Sequence, residues 1–305
     1  KDRKMAEAAD AQKNEIYSVA GQRRKKAAIF HIMGAAFSFA LMTLFIRLSG
    51  DLPTMQKTFF RNFFALWIAL AALVRQKQAP VIVKGAGLPM FMRCFFGGTG
   101  MVANFWAVDH LGIADANMLN KLSPFFAIII SFFIMKERAS KVDWACVAVA
   151  FTGALFIIKP SFGLAAIPAL VGLYGGFGAG TAYAYVHKMG SVGEPGPVIV
   201  FYFSLSTSLM CLPFMIAEFV PMTMSQFLCL IGTGLAAASG QFNITAAYQK
   251  AAAREISVFD YTQVIFAAIL GVIFFNEIPD ALSFVGYAVI IGAAVFKWRW
   301  NLRKS

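Results

Sequence analysis

Long apolar runs, cut by short polar punctuation, fill the chain from about residue 27 onward. They fall into ten blocks, at about 27–48, 55–74, 87–108, 115–135, 142–158, 167–187, 197–219, 225–249, 255–275 and 280–298. Each is close to the roughly 20 residues an α-helix needs to cross the hydrocarbon core of a bilayer. The connections are short: "SGDLPT" (49–54), "KERASKV" (136–142) and "EIPD" (277–280) leave no room for a soluble domain between spans. Residues 1–26 form a polar segment rich in Lys and Arg, without the pattern of a removable signal peptide. Its first residue is Lys rather than Met, which reads as a trimmed or processed start. Residues 299–305 read as a second polar tail.

Composition assigns the solvent. Of 305 residues, 59% are hydrophobic and 14% charged, with a mean hydropathy of +0.68. A soluble domain is about 45–50% apolar and about 25% charged. This is the composition of an integral membrane protein. The net charge of +12 suggests nucleic acid only until it is mapped. With the N-terminus in the cytoplasm, nearly all loop cations fall on the inner side, and the outer loops receive little beyond Arg47 and Lys159. That bias predicts cytoplasmic N- and C-termini in a bacterial inner (plasma) membrane. "RRKK" at 23–26 is then a topology anchor that also meets anionic headgroups. The partners expected are a small-molecule substrate, the bilayer and protons or another coupling ion, with no nucleic acid.

The chain repeats itself. Set 113–137, "IADANMLNKLSPFFAIIISFFIMKE", under 253–277, "AREISVFDYTQVIFAAILGVIFFNE": Phe126 meets Phe266, Ala127 meets Ala267, Ile129 meets Ile269 and Glu137 meets Glu277. Gly34 and Arg47 of the first span line up with Gly175 and Lys188 of the sixth. The expected halves are 27–160 and 165–298, five spans each. Five is odd, so the second half enters the membrane with opposite topology. The fold class expected is therefore all-α, with ten transmembrane helices as two inverted five-helix repeats, an arrangement of secondary transporters.

The segments "LGIADANMLNKLSPFFAIIISFFIMKE", "VAFTGALFIIKPSF" (149–162) and "FDYTQVIFAAILGVIFFNEIPD" resemble the EamA-type branch of the drug/metabolite transporter superfamily. The resemblance runs from about residue 27 to 300. It implies ten helices, inverted repeats and a central cavity bordered by spans 1, 3, 4, 6, 8 and 9. Relatives carry amino acids, S-adenosylmethionine, riboflavin or other small metabolites, and "ADA" and "DYT" resemble the S-adenosylmethionine sub-branch. The expected function is a secondary active transporter of an amino acid or amino-acid-containing compound. A lipid-handling protein (scramblase or lipid transporter) on the same fold is the alternative.

Lys121 is the residue most out of place, lying about 9 Å below the start of the fourth span at 1.5 Å per residue. A lone ammonium in hydrocarbon costs several kcal/mol unless it snorkels or finds a partner. Two readings stand: it snorkels or pairs with Asp109 or Asp115, or it faces the cavity and binds an anionic group of the cargo. Pro124 favours the second, because it frees a carbonyl near 120 and bends the helix. Asn120 and Lys121 have Asp260 and Tyr261 as repeat partners. Asp260 is the candidate proton or ion-coupling acid, or else it pairs with Arg254 or hydrogen-bonds neighbouring hydroxyls. Inversion suggests an axial offset of about 10 Å between Asp260 and Lys121. Arg61 reads as a structural ion-pair partner for Asp115, itself at an N-cap position. Glu137 and Glu277 read as bonded to the amides of the following helices. With Lys121, Asn120 and Tyr261, the residues Asn104, Trp106, Tyr183, Gln241 and Asn243 make up the substrate-binding set expected from the cavity spans, Trp106 and Tyr183 being suited to stack on a ring or cation.

Other features carry no chemistry. The four cysteines lack metal-ligand spacing, and the "NIT" sequon at 243–245 lies within a span. "GGFGAG" (175–180) and "GGTG" (97–100) follow no strand and lack the P-loop lysine, so they read as close-packing surfaces rather than phosphate loops. No H-E-x-x-H or G-x-S-x-G is present, so no enzyme, cofactor or metal is expected.

Overall fold

The computed structural model describes residues 26–111, 113–135, 140–158, 166–250, 259–276 and 278–304. Glu137, Glu277 and Arg254 lie outside the described residues. Among those described, all regular structure is helical. The helices are α1 (Lys26–Leu48), α2 (Thr54–Arg75), α3 (Gly87–His110), α4 (Ile113–Asn120), α5 (Ser123–Met135), α6 (Lys141–Ile158), α7 (Ile167–Ser191), α8 (Gly196–Ala217), α9 (Met224–Lys250), α10 (Thr262–Phe275) and α11 (Ala281–Lys304). They make ten spans, because α4 and α5 are one span broken at Lys121 and Leu122. Six spans are long and apolar enough to cross a membrane by composition alone. Glycine dilutes α3 and α7, which are 24 and 25 residues long.

The polarity runs inside-out relative to a soluble protein. Phe30, Trp67, Leu209 and Ile273 are exposed, while Lys57, Arg61, Arg93, Lys121 and Asp260 are buried. Apolar residues face outward because lipid tails cost them nothing, whereas every polar group must find an internal partner.

Helix packing obeys the repeat. α3 packs on α7, α2 on α8, α6 on α11, α4 on α10 and α5 on α7. α1 packs on α9, where the rings of Phe39 and Phe45 lie against Gly240 and Gly232 and Ser38 hydrogen-bonds Ser239 at 2.9 Å. α1 also meets α10 through Phe37 and Phe266, edge to face at 5.4 Å. Advancing each span by five positions maps every one of these pairs onto another, or onto itself. Two halves of like fold, each with an odd number of spans, cross the membrane in opposite senses.

The break in the fourth span has a local cause and a tertiary support. Pro124 has no N–H for the carbonyl of Asn120. The amide of Lys121 bonds the carbonyls of both Asn117 and Met118 at 3.0 Å, and that of Leu122 reaches Leu119 at 3.2 Å, a tightened turn. Against this turn lies α7, and a Cβ on Gly176 would come within 2.5 Å of the Leu119 carbonyl. A Cβ on Gly180 would come within 2.4 Å of the Ser123 carbonyl. The ninth span is interrupted at Tyr261, the repeat partner of Lys121.

Overpacking costs about 1–3 kcal/mol, so Gly176→Ala and Gly180→Ala should each lower the thermal midpoint in detergent. Gly292→Ala, where a Cβ meets nothing within 4 Å, should leave it unchanged; equal effects at all three positions would remove the close-approach argument.

Candidate functional site

Lys121 sits in the break rather than on a continuous helical face, and its Nζ donates to Asp260 Oδ2 at 2.6 Å. Both residues are buried, at 3% and 1% exposure, and the partners are 139 positions apart. The axial offset suggested by inversion does not keep the two side chains apart. The broken turns of α4 and the start of the ninth span face each other, and the flexible lysine stem covers the remaining distance. Asp260 Oδ1 has no hydrogen-bond partner. The pair joins equivalent spans of the two halves at neighbouring, not equivalent, positions, since the repeat partner of Asp260 is Asn120 and that of Lys121 is Tyr261.

Beside it lies a central cavity of about 70 Å³, partly open. Spans 1, 3, 4, 6, 8 and 9 all line it, as the family resemblance implies, and spans 2 and 7 also contribute, through Arg61 and Phe203. Of the residues expected from sequence, Lys121, Asn104, Asn120, Tyr183 and Gln241 line this cavity. The ring of Tyr183 stacks on Tyr248 at 5.2 Å, and Asn104 donates to the Ala116 carbonyl at 3.4 Å, on the near side of the break. Gln263 lines it too and donates to Asn117 Oδ1 at 2.7 Å, tying the ninth span to the fourth.

Other expectations need correction. Trp106 stacks on His110 at 3.8 Å near the end of α3, away from the cavity, because the i, i+4 spacing puts the two rings on one helix face. Asn243 Oδ1 pairs with His31 Nδ1 at 2.8 Å on the α1–α9 contact. Tyr261 is buried in a separate small pocket with Pro124, Phe125 and Trp298. The Arg61–Asp115 ion pair does not form. Asp115 accepts from the Tyr287 hydroxyl at 2.7 Å, whereas Arg61 Nη1 donates to Asn62 Oδ1 at 2.6 Å. Asp109, a second candidate partner of Lys121, instead binds Lys57 at 2.8 Å, near the ends of spans 2 and 3.

Sequence reasoning passed over Arg93. It is buried at 3% exposure on α3 and lines the cavity. Its Nη2 donates to Gln241 Oε1 at 3.0 Å, and its guanidinium lies 3.9 Å from the centroid of the Phe203 ring. The signal was available: "MFMRCFFGG" places an arginine inside an apolar block, the criterion that singled out Lys121.

With this arrangement in view, likeness to known proteins becomes informative. The chain matches the EamA-like transporter family over residues 26–159 and again over 166–298. It is 31% identical over 265 residues to the pseudopaline exporter CntI of Pseudomonas aeruginosa, spanning 86% of this chain and 92% of that protein. To human solute carrier family 35 member G1 it is 26% identical over 289 residues, spanning 88% and 79% of the two chains. A crystal structure sharing the fold superposes with a TM-score of 0.70 at 16% identity, over 90% of this chain and 97% of the other. The Pseudomonas relative is named an exporter and the human relative a solute carrier, and the structural likeness shows the fold. A buried, charged cavity between two repeated halves, in a chain whose every span matches this family, leads to one conclusion: the protein belongs to the EamA-like transporter family and is an integral membrane transporter of a small metabolite.

Proposed function

We propose that the protein is a secondary active transporter of a bacterial inner membrane, with cytoplasmic termini, that exports an amino-acid-containing metabolite by alternating access. The observation that carries this reading is the buried Lys121–Asp260 contact at 2.6 Å, set in the interrupted turns of equivalent spans beside the cavity. Such turns are where inverted-repeat transporters bind substrates and coupling ions. An α-amino-acid head is complementary to this pair: its carboxylate replaces Asp260 on Lys121, and its ammonium replaces Lys121 on Asp260. Asn104, Asn120 and Gln241 supply amides to orient the cargo, and Tyr183 supplies a ring.

Coupling follows from the same exchange. A proton on Asp260 removes the charge that the cargo's ammonium needs, so proton and cargo exclude each other. Two ligands that compete for one site exposed alternately to either side exchange across the membrane. Proton entry then drives cargo exit. The positive-inside bias of the loops supports the orientation, and the name of the Pseudomonas relative supports export as the direction.

In proteoliposomes, Asp260→Asn keeps the shape of a protonated acid but cannot ionise, so the pH gradient should no longer drive cargo flux. Flux that still follows the gradient would remove Asp260 from the coupling step. Lys121→Met should abolish transport while the protein remains folded. In thermal unfolding, Asp260→Asn should destabilise by about 3–5 kcal/mol because it strands a buried ammonium. The double variant Lys121→Met/Asp260→Asn should recover most of that loss; additive losses would show that the two groups do not act as a pair.

A further inference from the structure

Two arginines remain that this exchange does not use. Arg61 and Arg93 are 0% and 3% exposed, line the same cavity, and approach one ring, Phe203, at 5.8 and 3.9 Å from its centroid. Arg61 spends Nη1 on Asn62, but its Nε and Nη2 have no partner. Those two N–H groups form the side-on edge of a guanidinium, the edge that takes both oxygens of a carboxylate in parallel bonds. Arg93 spends Nη2 on Gln241, and its Nε is likewise unpartnered.

Charge makes the omission costly. Arg61 and Arg93 are like charges set against one ring, and among the described residues neither forms an ion pair with a carboxylate. No acid lines the cavity among the described residues, and Asp260, which reaches it only through Lys121, is already bound to that lysine. The cavity wall therefore holds two cations in excess. Buried charges are kept in proteins when something compensates them, and inside a membrane such groups mark the path of a substrate or ion.

We infer that Arg61 and Arg93 form a second subsite, an oxyanion clamp for an acidic group of the cargo beyond its amino-acid head. The cargo is then a net anion, with a carboxylate or phosphate placed toward Phe203 while its zwitterionic head lies at Lys121 and Asp260. Phe203 covers the guanidinium face of Arg93, leaving edges rather than faces for the ligand. Gln241 holds Arg93 in register. This inference rests on the transporter reading for its cargo, but its test needs no transport.

Thermal shifts of purified protein in chloride-free detergent buffer separate the outcomes, with glutarate, its uncharged isostere glutaramide and inorganic phosphate as probes. A ligand that binds only the folded state raises the unfolding midpoint. Glutarate or phosphate should raise it and glutaramide should not; the larger of the two anionic shifts tells carboxylate from phosphate. Arg61→Gln and Arg93→Gln should each weaken the effective anion by roughly tenfold or more. Without ligand, Arg61→Gln should raise the midpoint, because it relieves an uncompensated buried charge, whereas a structural arginine would lower it. Equal shifts with glutaramide, no anionic shift in the wild type, or a lowered midpoint in both ligand-free variants would overturn the clamp. Failure here with intact proton-driven flux leaves the transport reading standing; loss of flux coupling with intact anion shifts does the reverse.

Discussion

A carboxylate and an ammonium held at 2.6 Å with almost no exposure impose conditions on everything around them. Taking two ions out of water costs several kcal/mol per ion even after relaxation, and their attraction offsets that cost only if the geometry is held. The surrounding fold holds it. The fourth span must unwind at Lys121 for the side chain to reach across, and Pro124 denies the helix the bond that would keep it straight. Gly176 and Gly180 let α7 lie against the Leu119 and Ser123 carbonyls of that turn. Gln263 and Asn117 bond the same two spans a turn away. Removing any of these supports would leave a buried charge with a poorly placed partner.

The two-fold relation between the halves extends to backbone but not to charge. The breaks at Lys121 and Tyr261 are equivalent positions, yet one carries a cation and the other a phenol, while Asn120 and Asp260 form the neighbouring equivalent pair. An exactly symmetric site would place like charges together, at mutual cost. Divergence of the halves lets one contribute the cation and the other the anion, so the contact binds the halves to each other rather than repelling them. Arg61 and Arg93 break the symmetry further, since both belong to the first half. The cavity is thus polarised toward one repeat.

Much of the architecture was readable without coordinates. Block lengths near 20 residues gave ten spans, because the thickness of the hydrocarbon core sets helix length. The matched segments 113–137 and 253–277 exposed the repeat, and Pro124 marked the interruption. Lys121 and Asp260 stood out because charge in an apolar block is rare and costly. The same rule flags Arg93, which escaped notice although nothing in its surroundings disguised it. Trp106 and Asn243 misled, since membership of a cavity-lining span says nothing about which way around the helix a residue points.

The linear chain by itself determined the solvent, the number of spans, the repeat and the roster of intramembrane charges, since each depends on composition or spacing within a helix-long window or on the match of two such windows. Partnership was decided only in three dimensions. Lys121 had Asp109, Asp115 and Asp260 as conceivable partners, and the choice fell on the residue 139 positions away; Asp109 went to Lys57 and Asp115 to Tyr287. Arg61 was drawn to the neighbourhood of Arg93 and Phe203. Such choices turn on the azimuth of each side chain and on where helices cross, and a hydrogen bond is lost within about an ångström of misplacement. Local sequence sets neither quantity to that accuracy.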